Sequence, residues 1–101
     1  MKYVYTITTE DYMPQFEDYR GKGIVEFVFT SEKQAQKQMD AIVELVNQDK
    51  WYVNPGHYIE FDTLVKDSTF GIFRCIKVEH PNGTHTIYTL QKRELNACYG
   101  I

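Results

Sequence analysis

The sequence predicts an α+β domain in which one helix packs on one face of an antiparallel sheet of about five strands, in the order β-β-α-β-β-β. Three observations lead to this fold class. Several segments alternate between apolar and polar residues, as half-buried strands do; one segment carries apolar residues at helical spacing; and turn signals rich in glycine, proline and asparagine separate the segments. A chain of 101 residues has material for one hydrophobic core, so residues 1–101 are expected to form a single domain.

Two strands are expected before the helix, paired as a hairpin. Residues 2–8 alternate with three large apolar or aromatic side chains on one face, and residues 24–30 are dense in valine, isoleucine and phenylalanine. Between them, residues 10–23 (EDYMPQFEDYRGKG) follow neither the strand period nor the helix period and include two glycines. This stretch is therefore predicted to be a long loop.

A helix is predicted to begin at Ser31. The sequence S-E-K-Q allows the Ser31 hydroxyl to accept the backbone N–H of Gln34, which satisfies one of the donors left open at a helix start. Apolar residues then recur at helical spacing and form one stripe. They are Ala35, Met39, Ile42, Val43 and Val46. The helix should end near residues 47–50, ahead of a turn at residues 54–56.

Two alternating segments follow the helix. Residues 57–65 and 70–78 are predicted to be the third and fourth strands. The fourth strand looks apolar on both faces, with Phe73 and Cys75 on the side opposite to Ile72.

The turn into the fifth strand is predicted at Asn82-Gly83, the favoured pair for a two-residue type I′ hairpin. A loop of that length would place His80 opposite His85. Residues 91–101 leave three alternatives open, since they are compatible with more strand, with a short helix or with a frayed end.

Composition and charge exclude several classes of function. A formal net charge of −3 provides too little positive field for direct nucleic-acid binding. No segment is apolar enough for a membrane helix, and the start MKYVYTITTE lacks the apolar stretch of an export signal, so a soluble cytoplasmic protein without membrane contact is expected. Cys75 and Cys98 form no C-x-x-C pair, which indicates neither a zinc site nor a redox motif, and no cofactor is expected.

No set of residues indicates catalysis, and the protein is not expected to be an enzyme. Ser31 is explained as the helix cap, and Cys75 as a small core residue whose burial would raise the pKa of its thiol. Glu60 and Asp62 share one face of the predicted third strand and imitate a hydrolase pair. A solvent-facing row of carboxylates explains them without chemistry.

The histidines raise the question of a metal site. His80 and His85 are predicted to face each other beside the turn, with His57 or Glu79 as a conceivable third ligand. Solvated histidines at turns are commoner, and no clustered His or Cys spacing supports a metal site. None is therefore predicted.

The expected sheet is wider than its helix. Five strands span roughly 19 Å and one helix about 10 Å, so half of one face and the whole reverse face are left uncovered. Because the chain has eight tyrosines, six phenylalanines and one tryptophan, we expect the uncovered sheet to associate with a second copy as a two-fold homodimer. The alternative is that the chain's own tail and long loop fold over the sheet.

The stretch 10–23 is the candidate binding site for a protein partner. Acidic and aromatic residues interleave there; rigid rings give contact area at small entropy cost, and carboxylates engage basic residues of a partner. The residues singled out are Tyr12, Phe16, Glu17, Asp18 and Tyr19. The alternative is that these rings only fasten the loop onto the sheet.

Three stretches, MKYVYTIT, FVFTSEKQAQKQMD and HYIEFDTL, carry a resemblance to known proteins. With them, residues 1–65 resemble small phage- and bacterium-encoded α+β proteins of uncharacterised function, and the likeness supplies no catalytic residues. The leading interpretation is a small non-enzymatic protein-interaction module, homodimeric through its sheet. The alternatives are a phage-encoded counter-defence protein, which inhibits a host nuclease complex by acidic mimicry or sequesters a nucleotide signal, and a small hydrolase or transferase with its site at a dimer interface.

Overall fold

The computed structural model describes residues 3–13, 18–47, 56–65 and 71–94, without the side chains of residues 13 and 18–26. The elements are β1 (Tyr3–Met13), β2 (Asp18–Phe29), α1 (Glu32–Asn47), β3 (Tyr58–Leu64), β4 (Ile72–Glu79) and β5 (His85–Glu94). All five strands form one antiparallel sheet in the spatial order β2-β1-β5-β4-β3. The predicted α+β class and element order are confirmed. Strand β5 includes residues 91–94, the first four of the stretch 91–101 for which the sequence leaves strand, helix and frayed end open.

Helix α1 packs on one face of the sheet and closes the core. Its stripe buries Ala35, Met39, Ile42 and Val46 against side chains from β1, β4 and β5. The sheet residues of this core are Ile7, Ile76, Val78, Tyr88 and Leu90. The predicted cap is confirmed, because the backbone N–H of Gln34 donates to the Ser31 hydroxyl oxygen at 3.4 Å.

The predicted loop over residues 10–23 is wrong wherever the structure describes it. Strand β1 continues to Met13 and β2 begins at Asp18, so that Tyr12 lies opposite Tyr19. The reason is that β1 is an inner strand: on its other side it pairs with β5 without a break as far as Tyr12 and His85. Ladder hydrogen bonds on both sides outweigh the weak local pattern of this stretch.

The predicted two-residue turn between β4 and β5 is also wrong. The loop has three residues, because the His80 N–H donates to the Thr84 carbonyl at 3.0 Å and the Gly83 N–H donates to the His80 carbonyl at 3.1 Å. Pro81 suits the first central position of a type I turn, and Gly83 follows at a φ of 85°, which a glycine adopts without strain. The pairing therefore moves by one residue.

This change of register redistributes the side chains between the two faces. Glu79 lies opposite His85, and Val78 opposite Thr86. Because neighbouring residues of a strand point to opposite faces, a shift of one residue sends a side chain to the other side of the sheet. His80 and His85 consequently lie on different faces.

A second irregularity changes the faces to which the first side chains of β4 point. Ile72 lies opposite Gln91 and Arg74 opposite Leu90, which leaves Phe73 as an extra residue in the ladder. Phe73 packs against the core, and its ring meets that of Tyr5 edge-on at 6.0 Å. The prediction that Phe73 shares the face of Cys75 is therefore wrong.

Arg74 is a charged residue within the core-facing side of β4, and only 7% of it is exposed. Its Nε and Nη2 donate to the two carboxylate oxygens of Asp62 on β3, at 2.8 and 2.6 Å. Its Nη1 donates to Asp40 at 2.6 Å and to Gln36 at 3.2 Å, both on α1. The hydrogen bonds to Asp62, and after them the one to Asp40, raise the pKa of Arg74. One guanidinium thus joins β3, β4 and α1.

Replacing Arg74 by methionine tests this junction, because the variant keeps an unbranched stem and loses every one of these donors. We expect the free energy of unfolding to fall by about 2 kcal/mol, since the variant loses the guanidinium of a residue that is only 7% exposed, together with its two-point hydrogen bond to Asp62. Urea unfolding followed by circular dichroism measures the change. The control is Asp40→Asn at a side chain that is 67% exposed, which should cost less than about 1 kcal/mol. An Arg74→Met protein as stable as the parent would contradict the assignment.

Candidate partner-binding surface

A row of four side chains crosses the sheet on the face turned away from α1. Tyr12 of β1 lies opposite His85 of β5, His85 opposite Glu79 of β4, and Glu79 opposite Tyr58 of β3. Opposed residues share a face, and Val78, the neighbour of Glu79, belongs to the core beneath α1. The row therefore lies on the other side, which we name the reverse face.

A second row runs beside the first, formed by Glu10, Ile87, Lys77 and Phe61 on the same four strands. Glu60 joins it from the register irregularity between Ile59 and Phe61. Together these residues form the reverse-face patch. Its members are Glu10, Tyr12, Tyr58, Glu60, Phe61, Lys77, Glu79, His85 and Ile87.

The exposed part of the patch lies at β3, the edge strand. Tyr58 is 57% exposed and Phe61 is 38% exposed, whereas Tyr12 and His85 are half-buried, with their rings stacked at 4.8 Å. Thr8, further along β1 on the same face, is buried. Among the side chains that the structure describes, the exposed rings of this face therefore lie at one edge and one end of the sheet.

An ion network fixes the charges of the patch. Lys77 Nζ lies 2.7 Å from Glu60 Oε2 and 3.2 Å from Glu79 Oε1, and His85 Nδ1 lies 3.9 Å from the same Glu79 oxygen. The hydrogen bond from Lys77 lowers the pKa of Glu60, and the one to Glu60 raises the pKa of Lys77. Both groups are therefore charged at neutral pH.

The structure places three of the five residues singled out in the sequence. Tyr12 belongs to the reverse-face patch, Tyr19 lies opposite it on β2, and Asp18 lies opposite Met13 at the end of the same hairpin. Phe16 and Glu17 fall outside the described residues.

The main exposed residues of the patch, Tyr58 and Phe61, were missed by sequence reasoning. Simple alternation in residues 57–65 puts Phe61 on the same side as Ile59, which packs against the core. The irregularity at Glu60 places Phe61 and Ile59 on opposite faces. The sequence has no glycine or proline at that point to indicate it.

The same irregularity separates the two carboxylates that resemble a hydrolase pair. Glu60 binds Lys77 on the reverse face, whereas Asp62 binds Arg74 on the core side. The predicted common face of Glu60 and Asp62 is therefore wrong, and each carboxylate already has a cation as its partner.

The histidines are also arranged differently from the prediction. His80 contacts His57, with their Nδ1 atoms 2.6 Å apart, while His85 lies on the reverse face. Within the described part of the chain, no group of three or more His, Cys, Asp or Glu side chains is placed to hold a metal ion.

Cys75 lies on the reverse face, half-buried between the neighbouring strands. Its Sγ atom is 4.0 Å from Thr89 Oγ1, and burial raises the pKa of the thiol. A protonated thiol is a poor nucleophile, so the environment of Cys75 favours a packing role.

No protein-family model matches this chain, and neither a curated protein nor a solved structure is similar enough to it to count as a match. The resemblance of residues 1–65 to phage and bacterial proteins therefore stays a prediction. Among the described residues, no helix has the length and apolarity needed to cross a membrane.

The ion network predicts how Glu60 titrates. Replacing Lys77 by methionine removes the hydrogen bond that lowers the pKa of Glu60, so this pKa should rise towards its ordinary value of 4.5. Carboxyl-detected NMR titration measures it residue by residue. Lys37→Met, on the exposed side of α1, is the control and should leave Glu60 unchanged. A Glu60 pKa that is equal in the parent and in Lys77→Met would exclude this network in solution.

Proposed function

We propose that the chain is a small non-enzymatic protein-interaction module, and that its reverse-face patch binds a basic segment of a partner protein. The observation that carries this proposal is the pair of exposed rings, Tyr58 and Phe61, beside a fixed ion network in which carboxylates outnumber the cation. Aromatic contact area and net negative charge thus meet at one place.

The rings supply the apolar part of the contact. Tyr58 and Phe61 lie on a strand held in place by its pairing with β4, so little side-chain or backbone freedom is lost when a partner covers them. Complete burial of an aromatic side chain removes about 150–250 Å² of surface from water, and the 57% of Tyr58 and 38% of Phe61 that are exposed are the part that a partner can still cover. Two such rings are enough to anchor a small interface, because a few residues usually carry most of the binding free energy.

The carboxylates select the chemistry of the partner. The patch contains Glu10, Glu60 and Glu79 against the single Lys77, and the whole chain has a net charge of −3. Arginine forms two parallel hydrogen bonds with a carboxylate and also stacks on aromatic faces. A segment that combines arginine or lysine with apolar side chains therefore complements this surface.

Side chains, rather than the backbone edge of β3, are the expected contact. An exposed edge strand can pair with another strand, but an irregularity such as that at Glu60 interrupts the regular row of donors and acceptors. The carboxylates of Glu60 and Asp62 on this short strand also repel a second acidic strand. Binding by strand addition is disfavoured for both reasons.

Selection from a library of short random peptides, followed by calorimetry, tests the proposal without knowledge of the natural partner. We expect the selected peptides to be rich in arginine and aromatic residues. Tyr58→Ala and Phe61→Ala should each weaken their binding by at least about tenfold, since one anchoring ring contributes more than about 1.4 kcal/mol.

Leu64→Ala is the matched control for this experiment. Leu64 lies on the same strand and is 61% exposed, but it is opposite Arg74 and therefore on the other face. Its replacement should leave peptide binding unchanged. Selected peptides that are acidic, or that bind Phe61→Ala as tightly as the parent, would refute the proposal.

A second copy of the chain is the other candidate occupant of the patch. The exposed rings favour association of two sheets in a homodimer, but a two-fold contact would bring the surplus carboxylates of both copies together. The basic partner is therefore the better complement. Sedimentation distinguishes the two occupants, since a dimer at micromolar concentration that Phe61→Ala dissociates would assign the patch to self-association.

A further inference from the structure

His57 and His80 lie at the end of the β3–β4 ladder. Their side chains are on the face opposite to the reverse-face patch. They are next in register to the pair formed by Tyr58 and Glu79, which belongs to the patch. Their Nδ1 atoms are 2.6 Å apart, and their ring centres are 4.8 Å apart at an angle of 70°. The two ring nitrogens therefore share one hydrogen bond.

The neighbours of His80 fix the direction of this hydrogen bond. The Thr86 hydroxyl donates its only proton to Asp11 Oδ1 at 2.7 Å, because an ionised carboxylate can only accept. Thr86 Oγ1 lies 2.8 Å from His80 Nε2 and must therefore accept from it. A neutral His80 with its proton on Nε2 has a lone pair on Nδ1. His57 is then the donor, through its own Nδ1–H.

This chain of hydrogen bonds tolerates one extra proton between the two rings but not two, because one Nδ1 must stay unprotonated to accept. Once His80 is a cation, its Nδ1 carries a proton and can no longer accept from His57. Two imidazolium rings at this distance also repel each other. The contact is consequently lost once both rings are cations, because neither Nδ1 can then accept.

We propose that the contact between His57 and His80 is an acid-sensitive clasp, which holds the Tyr58–Glu79 end of the reverse-face patch at neutral pH and releases it in acid. The effect on partner binding rests on the function proposed above, whereas the clasp itself does not. Each histidine is covalently adjacent to one residue of the patch, so separation of the rings displaces the exposed ring of Tyr58.

The charged groups around His80 act in opposite directions. Burial, the largest effect, and the nearby His57 and His85 disfavour its cation, while Asp11 of β1 and Glu79 favour it. The balance lowers the pKa of His80 from its ordinary value of 6.5. The unfolded chain then binds this proton more readily than the folded one. The stabilisation is therefore complete above pH 6.5 and is lost as the pH falls from there towards the lowered pKa.

Nitrogen-15 NMR of the histidine rings, combined with backbone shifts, tests the clasp on the full chain. Spectra are recorded between about pH 7.5 and pH 5, the range in which histidine titrates, with a chelator present so that only protons act. At the higher pH we expect His80 protonated on Nε2 and His57 on Nδ1. As His80 gains its second proton, the backbone signals of Tyr58 and Glu79 should shift together.

Three variants separate the clasp from a general effect of acid. His80→Gln keeps a hydrogen-bond acceptor and a donor at this position but cannot gain a proton. The backbone signals of Tyr58 should therefore no longer show the acid transition. His80→Ala should give the acid-state signals of Tyr58 already at the higher pH. His85→Gln removes one of the groups that disfavour the His80 cation, so it should shift the transition seen at Tyr58 to higher pH without abolishing it. A proton on Nδ1 of neutral His80, or a Tyr58 titration that His80→Gln leaves intact, would overturn the proposal.

Peptides selected on the reverse-face patch provide the second readout. Their affinity should fall by about tenfold or more between the two pH values for the parent, the same factor expected when the Tyr58 ring is removed, and much less for His80→Gln. If no peptide binds at either pH while Tyr58 still follows His80 in the spectra, the proposed function fails and the clasp stands. Equal acid dependence of peptide binding in the parent and in His80→Gln would contradict the link between them.

Discussion

The register between β4 and β5, set by the three-residue turn at Pro81–Gly83, is the constraint on which the rest of the structure depends. It places Glu79 opposite His85 and Val78 opposite Thr86. The same alignment decides which residues of β4 enter the core and which reach the reverse face. A register shifted by a single residue would face Val78 with Ile87, change the side on which β5 buries its apolar residues and dismantle the core beneath α1.

Both the reverse-face patch and the proposed clasp between His57 and His80 depend on this alignment. On the reverse face it completes the row from Tyr12 to Tyr58, in which the two tyrosine rings flank His85 and Glu79. On the core side it brings Thr86 within 2.8 Å of His80, and through Thr86 it connects His80 to Asp11. One sheet thus carries the proposed contact surface on one face and the hydrogen-bond chain of His57 and His80 on the other, at the same end of β3.

The sequence predicts what depends on local pattern and fails where two strands must be aligned. The apolar stripe of α1 recurs at helical spacing, and its Ser31 cap is a motif of fixed length. Both can therefore be predicted from the sequence alone. The irregularities at Glu60 and Phe73 depend on the partner strand and leave no local signal. Arg74 reads as an interruption of an apolar strand, because its partners Asp40 and Asp62 lie on other elements.

Nuclear Overhauser contacts between Hα atoms across β4 and β5 test the central register most directly. Since His80 and Thr84 form a hydrogen-bonded pair, the pairs Glu79–His85 and Lys77–Ile87 are of the close, non-hydrogen-bonded type. The account predicts strong Hα–Hα contacts within these two pairs. Contacts that instead join His80 to His85 or Val78 to Ile87 would establish the two-residue turn and contradict both the patch and the clasp.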